Sequence, residues 1–200
     1  GRIKRLTSED ESGEIKDVSY IYYPLKEIEG FRKDIEDSGQ KVSLSICFDS
    51  PSIKKEIDST YKESRINKLG PTDRDNINMI EDILKSNNYN VYKIDGMEAD
   101  DIIASLIDKY SEQFDFNIVC TPDTDLLALI KPGVGINRYK VKRGYQKIGM
   151  SNFEEYCSEE FKCNIKYNNI MLYKVLCGDK SDNIKGIKGF GAKAFDKFTK

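Results

Sequence analysis

Apolar positions along the chain fall into alternating strand-like and helix-like stretches. Val42-Ser43-Leu44-Ser45-Ile46-Cys47-Phe48 alternates in its first half and is solidly apolar in its second. That pattern predicts a strand ending in Asp49. Residues 89–94 and 116–120 predict two further strands. Leu25, Ile28, Phe31 and Ile35 recur at helical spacing and predict a helix from about Pro24, with Gly30 in its middle. Ile77, Ile80, Ile83 and Leu84 predict a second, capped by Thr72 and ended by Asn87-Asn88. Ile102, Ile103, Leu106, Ile107 and Tyr110 predict a third that starts close to Asp100, and residues 126–130 a further helix start. Residues 132–147 alternate between turns as a β-ribbon would, with Arg138, Lys140, Lys142, Arg143 and Lys147 along it. Two amphipathic helices follow at 153–162 and 167–177, whereas residues 1–19 are polar and read as a loop or frayed terminus. Strands alternating with helices predict an α/β fold around a mainly parallel central sheet.

Acidic residues collect where such a sheet places its ligands, at the C-terminal ends of strands. Asp49 ends the first strand, and Glu98, Asp100 and Asp101 precede the third helix. Asp123 and Asp125 follow the third strand, and Asp179 and Asp182 follow the last amphipathic helix. Each group has an ordinary explanation as well. Asp49 can open a turn at Ser50-Pro51, and acidic first turns cap helices and suit the helix dipole. Three carboxylates in four positions exceed what capping needs. Their convergence suggests a site for two divalent cations, and hard oxygen ligands select Mg²⁺ or Mn²⁺.

Composition narrows the chemistry. The chain has 200 residues, 38% hydrophobic and 33% charged, enough for one domain or one with a small appendage. There is no histidine, and the five cysteines are widely spaced without a C-x-x-C pair. That excludes histidine acid–base catalysis, disfavours zinc, and suits free thiols in a reducing cytosol. No apolar run is long enough to span a membrane, and no secretory segment is present. The net charge of −2 argues against a nucleic-acid ligand only until the eight candidate carboxylates are set aside. The remainder is basic, as a phosphodiester-binding surface would be. Gly186, Gly189 and Gly191 permit a tight hairpin, and Lys185, Lys188, Lys193 and Lys197 supply charge around it.

Five motifs stand in order between about residues 42 and 197: Cys47-Phe48-Asp49, Tyr61-Lys62-Glu63-Ser64-Arg65, Gly96-Met97-Glu98-Ala99-Asp100-Asp101, Thr121-Pro122-Asp123-Thr124-Asp125, and Gly178 through Lys193. Together they resemble the 5′-nuclease family: the phage flap endonucleases and 5′→3′ exonucleases, and the 5′-nuclease domain of bacterial DNA polymerase I. The resemblance implies a PIN-like 5′-nuclease fold, with a catalytic domain over 1–147 and a helix–hairpin–helix DNA-binding region over 148–200. It implies structure-specific hydrolysis of DNA phosphodiesters by a monomer in the cytoplasm, with a DNA polymerase as a candidate partner. Asp49, Glu98, Asp100, Asp101, Asp123, Asp125, Asp179 and Asp182 match the family's acidic positions and would hold two Mg²⁺ or Mn²⁺ ions, some through water. Lys62 and Arg65 match basic residues at the foot of the arch that passes the 5′ strand, and Lys62 would steady charge on the scissile phosphate. Lys185, Gly186, Lys188, Gly189, Gly191 and Lys193 match the hairpin that grips duplex phosphates, where the family often carries a K⁺ ion. The family's opening strand with its further aspartate has no counterpart in residues 1–20, so the chain reads as N-terminally incomplete. A PIN-like metal-dependent RNase and a non-catalytic DNA-junction binder are the alternatives.

Overall fold

The computed structural model describes residues 29–30, 32–57, 59, 70–140, 144–179 and 182–199. They belong to two compact units: residues 2–48 with 66–93, and residues 49–65 with 94–200. The start of the first expected helix, Lys62 and Arg65 with their motif, and Lys142 and Arg143 lie outside the described residues.

In the smaller unit, residues 32–37 are helical (α1). A short strand, β1 (Ser45–Cys47), pairs in parallel with β2 (Asn90–Tyr92), Ile46 facing Val91. Both strands are shorter than the apolar runs that predict them, because the ladder is only three residues long. Between them runs α3 (Pro71–Ser86), which begins one residue before the expected cap. Pro71 at the first helical position loses no hydrogen bond there, so Thr72 sits inside the first turn. Leu84 is buried, and Asn88 in the left-handed region (φ 61°) ends the helix as expected. Glu81 is buried on α3 and takes 2.7 Å ion pairs from both Lys85 and Lys93.

The larger unit opens with a four-residue helical turn, α2 (Lys54–Ile57), tied to the Gly96 turn by an Ile53 N–H to Gly96 carbonyl bond of 3.0 Å. Gly96 has φ 79°, which its lack of a side chain permits. Helix α4 (Ala99–Tyr110) follows, with Ile102 buried. Strand β3 (Asn117–Thr121) pairs in parallel with β4 (Val134–Lys140), and β4 pairs antiparallel with β5 (Gly144–Ile148). The β-ribbon is therefore present, and its first strand also extends β3. Among the described residues the strands form two sheets, one of two and one of three, in place of the expected single, mainly parallel sheet. The predicted helix at 126–130 is a 3₁₀ segment over Asp125–Leu129. Only two residues separate it from Pro132, leaving no room for a second turn of α-helix.

Helices α5 (Phe153–Phe161), α6 (Ile170–Cys177) and α7 (Ala192–Phe198) complete this unit. Phe153, Tyr156 and Cys157 form the buried stripe of α5 at i, i+3, i+4 spacing. They share one apolar core with Val119, Leu127, Ile136, Ile148, Ile165, Ile170 and Phe195. Burying these side chains out of water is the main stabilising term, about 1.5–3 kcal/mol for each large one. The same core fixes where β3 ends, where the 3₁₀ turn begins, and where α6 ends. Those three places carry acidic residues.

Candidate metal centre

Asp125, Asp179 and Asp182 come together. Their carboxylates each offer an oxygen, and all three lie within 4.8 Å of one another; among the described residues this is the one group of three or more potential ligands so placed. Asp125 opens the 3₁₀ turn after β3, with Leu126 and Leu127 buried beside it. Asp179 follows the C-terminus of α6, in a two-way backbone pairing with Ile184 (2.9 and 2.8 Å). That pairing closes the loop bearing Asp182 back onto α6. Gly178 (φ 87°) and Gly186 (φ 65°) make it sterically possible. A Cβ on Gly186 would lie 2.5 Å from Gly178 N and 2.6 Å from Cys177 C.

The ammonium of Lys174, on α6, points into this group. It donates to Asp179 Oδ2 at 2.9 Å, to Thr124 Oγ1 at 3.2 Å, and closely to Asp125 Oδ1. Its side chain is 7% exposed. Withdrawing an ammonium from water costs several kcal/mol, offset here by two carboxylates and a hydroxyl. Burial works against its charge, but the bonds to Asp125 and Asp179 outweigh burial and hold the Lys174 pKa above its ordinary value. Burial raises Asp125 too; Lys174 pulls the carboxyl down and the neighbouring Asp182 pushes it up, with a net rise. The two directions are compatible. Lys174 is held charged, while burial and the nearby Asp182 oppose ionisation of Asp125.

The remaining candidate carboxylates lie outside this group of three. Asp49 Oδ1 accepts the Ala99 N–H at 2.8 Å, so it caps the first turn of α4 from a distant part of the chain. Glu98 is the N-cap of α4, and Asp101 accepts the Glu98 N–H at 3.3 Å. Lys54 bridges the two, 3.1 Å from Glu98 Oε2 and 2.7 Å from Asp101 Oδ2. Asp100 lies in the first turn beside them. Asp123 Oδ1 accepts the Asp125 N–H at 2.9 Å, an Asx-type turn that fixes the backbone at Asp125. The capping roles open from sequence to Glu98, Asp101 and Asp123 are thus visible in their hydrogen bonds.

Three residues of this neighbourhood are missed by sequence reasoning. Lys54 belongs to a run of basic residues that reads as a solvated face, yet it pairs two carboxylates. Arg138 reads as part of a basic ribbon. Its Nε donates to the Pro122 carbonyl at 3.0 Å, and its Nη1 donates to Tyr156 Oη and Glu160 Oε1, each at 2.7 Å. It therefore anchors the loop that leads into Asp123. Lys174 carried the clearest signal, a single charge inside the apolar run 170–177.

The glycine-rich loop joins α6 to α7. Gly186 and Gly189 have positive φ (65° and 81°), and Gly191 precedes α7, its carbonyl accepting the Ala194 and Phe195 N–H groups. Lys185, Lys188 and Lys193 are exposed along it. Among the described residues no helix is long and apolar enough to cross a membrane.

Comparison with known proteins agrees with this architecture. Over 153 residues the chain is 35% identical to DNA polymerase I of Borreliella burgdorferi, covering 75% of this chain and 16% of that one. Over 154 residues it is 32% identical to the 5′-3′ exonuclease of Aquifex aeolicus, covering 75% of this chain and 49% of that one. It thus spans about half the length of the exonuclease and a small part of the polymerase. Among solved structures, the T5 D15 protein co-crystallised with metal ions and the T5 5′-exonuclease with divalent zinc superpose with TM-scores of 0.67. Each is 19% identical and covers 90% of this chain and 66% of that one, a likeness of fold. Residues 17–162, well over half of the chain, match the family of the 5′-3′ exonuclease N-terminal, resolvase-like domain, and the chain belongs to that family.

Proposed function

We propose that the chain is the nuclease part of a divalent-metal-dependent 5′ nuclease, hydrolysing DNA phosphodiesters at 5′ ends or flaps. The observation that carries this reading is the group Asp125, Asp179 and Asp182, brought within 4.8 Å around a buried cation. Three carboxylate oxygens are hard ligands that fit Mg²⁺ or Mn²⁺, and a chain without histidine has little to offer zinc. A buried ammonium among them marks a place where positive charge is required. Asp49, Glu98, Asp100, Asp101 and Asp123 complete the proposed set, which in this reading holds two ions. When bound, such ions supply Lewis acidity to the phosphodiester and lower the pKa of water.

The chain's own residues do the rest. Asp123 orients Asp125 through the backbone bond at 2.9 Å, and Arg138 holds the loop before them. Lys62 and Arg65 are proposed to neutralise the scissile phosphate. Lys185, Lys188 and Lys193, exposed around a loop whose glycines let backbone N–H groups approach phosphate, are proposed to hold duplex DNA without reading sequence, with a K⁺ ion in the same loop. The Aquifex relative is a 5′-3′ exonuclease, and the Borreliella relative is a DNA polymerase, which makes a polymerase the proposed partner.

The alternative of a PIN-like RNase is tested by presenting 5′-flap DNA and single-stranded RNA side by side in Mg²⁺. Cleavage confined to the flap supports the proposal. Cleavage confined to the RNA overturns it.

A further inference from the structure

Lys174 occupies the space between the very carboxylates proposed to hold a metal. Its ammonium contacts Asp125 and Asp179 and is also held by Thr124, and its side chain is 7% exposed. A lysine that merely balanced surface charge would keep its head in water. This one is aimed inward from a helix whose other buried residue is Ile170. The groups facing it are Asp125 and Thr124 from the turn after β3 and Asp179 from the end of α6, with Asp182 beside Asp125.

We propose that Lys174 is a built-in competitor for the divalent ion, holding Asp125 and Asp179 together in the metal-free protein and giving up their oxygens when metal binds. This rests on the metal reading of the site given above. Without any cation, three carboxylates within 4.8 Å would repel one another in a partly desolvated pocket. Lys174 removes that cost, so the site stays folded when metal is scarce. The same ammonium then opposes metal binding twice. Its two charge-assisted hydrogen bonds must be broken, and its positive charge stays close to the incoming ion. The lysine therefore sets the metal concentration at which the site fills, trading affinity for stability of the empty state.

The test uses the full chain with Lys174→Met and reads metal binding directly, by counting free Mn²⁺ with electron paramagnetic resonance at neutral pH. The expected result is tighter Mn²⁺ binding by about tenfold or more, equivalent to about 1.4 kcal/mol. Alongside it, the thermal midpoint in chelator falls, and Mn²⁺ raises it by more than in the wild type. Binding that is unchanged or weaker overturns the proposal, since it would make Lys174 a group that pre-organises the ligands. Should Lys174→Met fail to fold in chelator, Lys174→Gln keeps a donor without the charge and is prepared in Mn²⁺. Its affinity should lie above that of the wild type, and an affinity at or below the wild-type value overturns the proposal equally. Asp125→Asn with Asp179→Asn separates the two claims. If wild-type Mn²⁺ binding survives that pair of substitutions, the metal site itself is wrongly placed. If binding is lost there but is not tightened by Lys174→Met, only the competitor role fails.

Discussion

Replacing Arg138 by methionine should cost stability out of proportion to a single side chain. The guanidinium makes three hydrogen bonds: to Glu160, to Tyr156 and to the Pro122 carbonyl. Its side chain is 14% exposed and that of Glu160 is 28% exposed. Methionine fills much of the volume but removes the donor from which the Glu160 carboxylate, the Tyr156 phenol oxygen and the Pro122 carbonyl each accept a hydrogen bond. Burial pushes the Tyr156 phenol up to about 12, so it stays neutral and cannot compensate by ionising. Breaking a fully buried ion pair costs about 3–5 kcal/mol. Glu160 can regain some water, which lowers that figure, while the two bonds to neutral acceptors add about 1 kcal/mol each. The expected loss is about 3 kcal/mol, or about 6–12 °C in Tm for a chain of this size. Denaturant unfolding of Arg138→Met, Glu160→Gln and the double variant gives the coupling directly. Because Arg138 also fixes the carbonyl just before Asp123, turnover at saturating metal should fall as well. A stability change within about 0.5 kcal/mol, the range of ordinary surface substitutions, would refute the reasoning.

The pH dependence of the smaller unit should follow Glu81. Hydrogen bonds from Lys85 and Lys93 hold its carboxyl below the usual range, so its contribution is present above that range and is lost as pH falls through the depressed value. Urea midpoints of wild type and Glu81→Gln should therefore differ at neutral pH and converge in acid; a gap that widens in acid would contradict this. In the glycine-rich loop, Gly186→Ala should be severely destabilising, because its Cβ meets backbone at 2.5 Å. Gly189→Ala, at φ 81° with no contact within 4 Å among the described residues, should cost only about 1–2 kcal/mol of backbone strain. Thermal unfolding of the pair checks the order, and equal losses would contradict the close packing of Gly186 against α6.

Helix positions were legible because their signals are local. The start of α4 follows from Glu98, Asp100 and the apolar spacing after them, and α5 from Phe153, Tyr156 and Cys157. Strand partnership was less so. The run 42–48 shows that a strand can form there, but not that its partner among the described residues is three residues long. The acidic residues were legible as chemistry but not as groups. Nothing local links Asp125 to Asp179 and Asp182, which are brought together by the packing of β3, the 3₁₀ turn and α6 on one core. Lys174 was missed, and Arg138 was read only as part of a basic ribbon, for the same reason. A basic residue's partner is set by tertiary contacts, and composition assigns it to the surface by default.

Asp125 and Asp179 are proposed to hold a divalent ion used to cleave DNA. The most direct test is the rate of 5′-flap cleavage by the wild type and by Asp125→Asn with Asp179→Asn, each in Mg²⁺ and in chelator, with folding checked by circular dichroism. The expected result is Mg²⁺-dependent cleavage by the wild type, and cleavage by the folded variant no faster than the chelator background. Wild-type cleavage that persists in chelator, or a variant that cuts at the wild-type rate, would contradict it.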